Sequence, residues 1–175
     1  LLCSPSINCA LSAPLSAAME RFPTPGDLFI AETTGMDVSA KILKNKFNIA
    51  LTYFQPAAYD AYQNIAGKYQ IQVSKLFSDH LYLLMRRDNP LSGSREIDRS
   101  TLMGQEFALL SHFTLTSDEI ATTKPIEGRN RITVFSNVPL IMRAVLEQNM
   151  LSILSGYAIA YDTSVDGSLL SAVPL

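Results

Sequence analysis

Residues 80–93 read "HLYLLMRRDNPLSG". A run of large apolar side chains stops at Arg86 and Arg87, and Asp88, Asn89 and Pro90 follow with a Ser/Gly tail. Residues 80–86 therefore read as a buried strand. Pro90 has no N–H and restricts the residue before it, so the chain must leave a sheet there. The charges read as the chemistry of a turn at the protein surface.

The pattern continues outward on both sides. Upstream, "YQIQVSKLF" (69–77) alternates and predicts a further strand. Residues 56–67 form a Tyr/Ala-rich excursion, expected to be loop or short helix. "FNIALTYF" (47–54) is a near-continuous apolar run, as in a strand covered on both faces. Residues 36–46 predict a helix with Val38, Ile42 and Leu43 inward, capped by the Thr34 hydroxyl. "DLFIAE" (27–32) reads as a strand. Residues 8–21 carry Leu11, Leu15, Ala18 and Met19 at helical spacing, and the "PTPGD" breaker ends that helix. Leu1, Leu2 and Cys3 open the chain as a short apolar stretch.

Downstream, residues 96–105 predict a helical turn and "FALLS" (107–111) a strand. Residues 118–123 are weakly helical, and "RITVFS" (131–136) is a strand. Asn137 is placed to cap a helix over 138–148, with Pro139 in its first turn, where a missing N–H does no harm. "MLSILS" (150–155) is a buried strand and "SLLSAVPL" (168–175) one more. Strands alternating with helices predict an α/β fold with parallel sheets, in two halves of similar size.

The chain has 175 residues, 47% of them apolar and 17% charged, which suits a well-buried globular protein. Its formal net charge is -2. A module that grips nucleic acid by itself is usually basic, and the densest basic cluster, Lys41, Lys44 and Lys46, reads as a solvated helix face. No window is long and apolar enough to predict a membrane span, and residues 1–20 do not read as a signal peptide. Beginning at Leu1, the sequence reads as a piece of a longer protein or a processed one. Cys3 and Cys9 have neither disulfide-framework nor zinc spacing. A reducing, cytoplasmic home is expected.

Chemistry motifs are missing: there is no P-loop, no G-x-G-x-x-G and no G-x-S-x-G, so no cofactor is expected. His80 and His112 read as structural groups, and Asp118-Glu119 as an acidic first helical turn. What stands out is polar residues at strand ends. Cys3, Ser4 and Ser6 follow the first strand, Thr33 and Thr34 the second, and Gln55 the third. Ser111 and His112 follow a later strand, and Ser136 and Asn137 another. Ligands of open α/β sheets bind at the carboxyl ends of strands, and helix N-termini there favour anions. These residues are candidates for a small-molecule site, with ordinary caps and turns as the competing explanation.

Several stretches, taken in order, resemble the effector-binding domain of LysR-type transcriptional regulators. "ILKNKFNIAL" (42–51) resembles the family's "L..G.LD.AI", with Asn45 at the usual Gly and Asn48 at the usual Asp. "ETTG" (32–35) is similar to its "EG-S/T-S/T". "RRDNPLSG" resembles the strand-ending "HPLA" turn, with Asn89 in place of His. "REIDRSTLMGQEFALLS" is similar to "I.L.DL...PFIL", and "VLEQNMLSILSGYAI" resembles "LV..G.GIA.LP.Y", with Gln148/Asn149 and Met150 replacing its glycines. "LLSAVPL" resembles "L..VPL".

The resemblance implies two Rossmann-like lobes of the periplasmic-binding-protein type II kind, joined by two interlobe crossings near residues 77–83 and 156–164. Residues 1–77 plus 163–175 would form one lobe and residues 78–162 the other. A small effector, expected to be anionic, would lie between them. Cys3 or Ser4 and Thr34 match the family's first-lobe contacts, and Ser111 and Asn137 its second-lobe side. The resemblance further implies a homodimer or tetramer, no enzymatic activity and no membrane contact. DNA would be bound only through an N-terminal winged helix-turn-helix absent from these residues. Two competitors stay open. An extracytoplasmic solute-binding protein of the same fold would carry a signal peptide or lipid anchor, and a small α/β enzyme would need a convergent acid–base pair.

Overall fold

The computed structural model describes residues 1–8, 11–21, 30–33, 38, 41–42, 44, 48–53, 56–110 and 131–175. The chain divides into two units, Leu1–Ser78 and Asp79–Leu175. The division falls at the start of the quoted stretch.

In the first unit, three short parallel strands form a sheet: β1 (Leu2–Cys3), β2 (Ala31–Glu32) and β3 (Ala50–Leu51), in the order β2-β1-β3. β1 lies in the middle and is fully buried, so its two residues are both apolar in character. Directly after it come a single helical turn, α1 (Pro5–Asn8), and α2 (Ser12–Arg21). Of the helix predicted over 8–21, Ser12–Arg21 are α2 and Asn8 ends α1, and the Leu11 amide donates to the Asn8 carbonyl at 3.1 Å. Val38, Lys41 and Ile42 are helical as expected, and Val38 is buried. The cap proposed at Thr34 and most of the strand expected over 27–32 lie outside the described residues.

Two expectations in this unit change. Of loop or short helix, the two readings of residues 56–67, the structure has helix, and a longer one: 13 residues, α3 (Pro56–Lys68). Pro56 opens it, where a fixed φ suits a first helical position, and alanines favour its continuation. Gln70, at φ 57, then turns the chain out of the helix, and the Ile71 amide closes back onto the Ala66 carbonyl at 3.0 Å. Beyond it, residues 71–80 are not a strand. Alternation supplies two faces, but a strand also needs a neighbour for its ladder. Leu76 (72% exposed) and Phe77 (54%) lie at the surface.

The second unit is built on a five-stranded mixed sheet, order β6-β5-β7-β4-β8. Its strands are β4 (Leu81–Arg86), β5 (Glu106–Leu110), β6 (Arg131–Phe135), β7 (Leu151–Ser155) and β8 (Leu170–Pro174). β5 runs parallel to β6 and β7, and β4 antiparallel to β7 and β8. One face gathers Leu83, Met85, Leu102, Phe107, Leu109, Leu151, Ile153 and Val173 into a core. α4 (Val138–Gln148) packs against β5 and β4 with Val138, Ile141, Met142 and Val145 buried, an apolar stripe at helical spacing. Asn149 closes α4 in the left-handed region at φ 56, a conformation glycine takes most readily and asparagine tolerates. It thereby does the work of a glycine that the resemblance places there.

The quoted stretch behaves as expected. Arg86 is ion-paired to Asp88, and the Asn89 carboxamide oxygen accepts from the Leu91 amide at 2.9 Å to open a 3-10 turn, Pro90–Gly93. The closing segment differs. Residues 163–175 were expected in the first lobe. Instead β8 pairs with β4, with Leu83 opposite Val173, and belongs to the second unit. Val173 is 3% exposed within the core of that unit, which is the burial that holds the segment there. A short helix, α5 (Gly156–Tyr161), precedes it.

Candidate functional site

The register of the first sheet decides the site. Cys3 stands opposite Glu32 on one side and Leu51 on the other. One residue further along, at the carboxyl ends of the three strands, are Ser4, Thr33 and Thr52. Backbone bonds hold them level: the Ser4 amide donates to the Leu51 carbonyl at 3.0 Å, and the Thr33 amide to the Cys3 carbonyl at 2.9 Å. Side chains in register on parallel strands share a face, so the row Thr33–Ser4–Thr52 presents three hydroxyls together.

These hydroxyls are unusual in what they lack. Ser4 is 1% exposed and Thr33 5%. The Oγ of Ser4 and the Oγ1 atoms of Thr33 and Thr52 are buried and, among the described residues, have no hydrogen-bond partner. Buried polar side-chain atoms are ordinarily bonded, and an unsatisfied one costs about 1–3 kcal/mol. The strand order adds a second argument. β1 has β2 on one side and β3 on the other, so the chain leaves the carboxyl end of β1 towards β2 and then crosses to the far side of β1 to form β3, the order of a sheet that reverses direction between β1 and β3. Ligands of doubly wound sheets bind at such a switch point. Ser4 and Thr52 flank it.

The other expected site residues fall as follows. Cys3 is fully buried, and its thiol donates to the Asn8 carboxamide oxygen at 3.4 Å and to the Ala31 carbonyl at 3.6 Å. Burial pushes that thiol up, with the negative charge of Glu32 adding to the effect. Strand alternation turns Cys3 away from the hydroxyl row. Ser6 lies in α1. Thr34, Gln55, Ser111 and His112 lie outside the described residues. In the second unit, Asn137 is a helix cap: its carboxamide oxygen accepts from the Leu140 amide at 3.0 Å, and its nitrogen donates to the Ser136 hydroxyl at 3.4 Å.

Of this candidate row, the sequence points to Ser4 and Thr33 and not to Thr52. Reading the apolar run as a strand through residue 54 moved the strand end, and the candidate, to Gln55. The available signal was the single polar residue inside "IALTYF". The second unit also holds a cavity of about 150 Å3, lined by apolar residues such as Leu84, Met142, Ile159 and Leu170 together with Asp162 and Ser171. Among the described residues no cluster of His, Cys, Asp and Glu could hold a metal ion, and no helix is long and apolar enough to cross a membrane.

No protein-family model matches the sequence, and no curated protein does. Solved structures do. The reduced OxyR regulatory domain from Pseudomonas aeruginosa superposes with a TM-score of 0.68 at 18% identity, covering 99% of this chain and 78% of that one. The Synechocystis PCC6803 CcmR regulatory domain, in complex with 2-PG, gives 0.69 at 15%, covering 98% and 77%. This chain has the fold of LysR-type regulatory domains. Full-length CbnR in complex with its target DNA matches at 0.60 and 14% identity, and there the chain spans 57% of the longer protein.

Proposed function

We propose that the chain is the effector-binding part of a LysR-type transcription regulator, and that the Thr33–Ser4–Thr52 row receives the effector. The observation that carries this reading is the set of three buried, unpartnered hydroxyls at the switch point of a parallel sheet. Leaving them unsatisfied costs free energy in the empty protein. A small polar molecule that bonds them recovers that cost on binding. The neighbour captured with 2-PG shows that a regulatory domain of this fold can hold a small molecule.

The mechanism is a population shift. An effector favours the conformation in which it satisfies the row, and can move the equilibrium only by its difference in affinity between conformations. That bias would pass to a DNA-contacting part outside these residues, in a cytoplasmic homodimer or tetramer that performs no catalysis.

Thermal-shift screening against small polar molecules tests the reading. A hit should raise the midpoint of unfolding of the parent chain. The double variant Thr33→Val, Thr52→Val should fold with a similar midpoint and lose the shift. An unchanged shift in the double variant refutes the site. A helix-turn-helix segment in the full coding sequence is the expected companion.

A further inference from the structure

We propose that the group seated on the Thr33–Ser4–Thr52 row is uncharged and polyhydroxylated, a polyol or sugar-like molecule and not a carboxylate. This deepens the effector reading and rests on it. It departs from the expectation of an anion raised by the sequence.

Spacing is the first reason. Neighbouring strands of a sheet lie about 4.8 Å apart, so three strand ends span roughly 10 Å. The two oxygens of one carboxylate sit much closer together than that. They reach two neighbouring hydroxyls at most and leave the third without a partner. A chain of hydroxyls reaches all three. Serine and threonine hydroxyls each donate and accept, as ligand hydroxyls do, so every contact can be satisfied in either direction.

Charge is the second reason. The segments that leave the three strands read "SPSIN" (4–8), "TTGMD" (33–37) and "TYFQ" (52–55), with no lysine or arginine and one acid, Asp37. Glu32 stands immediately before Thr33 and in register with Cys3. Its carboxylate accepts from the Asn8 carboxamide at 2.5 Å, a neutral partner that leaves the negative charge in place. The field of that carboxylate reaches the end of β1, where it acts on the Cys3 thiol more strongly than the opposing N-terminal ammonium group does. α1 is one turn long, too short to offer a helix-end dipole. An anion seated here would find no counter-charge in these segments, in a place where unpaired charge is most costly. A neutral ligand avoids that cost.

Calorimetric titration of the chain with sorbitol, xylitol and glucose, and with their acid counterparts gluconate, xylonate and glucuronate, tests the proposal. At least one neutral compound should bind about tenfold or more tightly than its acid. Thr52→Val should weaken that binding about tenfold, while Glu32→Gln should leave it within about twofold. Tighter binding of an acid, improved by Glu32→Gln and abolished by Thr52→Val, overturns the neutral class and leaves the row as the effector site. Binding by neither series overturns the polyhydroxyl class. The thermal-shift screen with the double valine variant then decides the row itself.

Discussion

The two units treat a buried hydroxyl in opposite ways. In the second, Ser152 is fully buried on a central strand, and its hydroxyl donates to the Ala108 carbonyl at 2.6 Å. In the first, Ser4, Thr33 and Thr52 carry buried hydroxyls with no partner among the described residues. The sheets differ to match. Five strands of five or six residues enclose a core in the second unit, whereas the first sheet described has two residues per strand. Satisfied polar groups and dense packing hold a structure in one state. The second unit satisfies its buried hydroxyl internally, and the first, among the described residues, leaves three without a partner.

The comparison can be broken at several points. The largest effect is expected in the core: Phe107, with no exposed surface, should cost about 3–5 kcal/mol as Phe107→Ala in urea unfolding. A smaller loss would mean that the core of the second unit is looser than its burial implies. Next comes Gly156, whose amide donates to the His80 carbonyl at 3.0 Å. An added Cβ would stand 2.8 Å from Asp79 Oδ1 and 2.9 Å from Tyr82 Cε2. Gly156→Ala should therefore destabilise by about 2 kcal/mol, with faster hydrogen exchange at the Tyr157 amide, which donates to Asp79 at 2.7 Å.

The direct contrast is between hydroxyls. Ser152→Ala removes one partner of a buried bond and should cost about 1–2 kcal/mol. Thr33→Val removes a hydroxyl that bonds to nothing and keeps the shape, so its effect should be near zero or slightly stabilising. Equal losses in the two variants would show that Thr33 has a partner after all, and the contrast between the units would fall.

The smallest effect is that of acid. Arg86 holds the Asp88 carboxyl below the usual carboxylate range, chiefly through their hydrogen bond. The Ser100 amide and hydroxyl do the same for Asp98, and the Ser168 hydroxyl and amide for Asp166. Each contributes stability above the ordinary aspartate range that is lost as pH falls through its depressed value. All belong to the second unit, and all are exposed, so the contribution is small. Circular dichroism during acid titration should show a shallow loss that Asp88→Asn, Asp98→Asn and Asp166→Asn together flatten.

Much of this was legible one residue at a time. Asn137 and Pro139 announced the start of α4, and the apolar run ending at Arg86 announced β4, because capping and proline chemistry act locally. Ser4 and Thr33 were legible as polar residues after short strands. Thr52 was not, because an apolar run does not say where its ladder ends; only the pairing of Cys3 with Leu51 did. The alternation over 69–77 misled for the related reason that a strand requires a partner.

The sequence by itself determined the class of fold, the Asn137 cap of α4 and the main strands of the second unit. Each follows from near-neighbour chemistry: periodicity, caps and proline. Tertiary structure alone decided that β8 joins β4, that three hydroxyls stand level at one sheet edge, and that none of them has a partner among the described residues. Register and burial are relations between residues distant along the chain, and a linear reading cannot sum them.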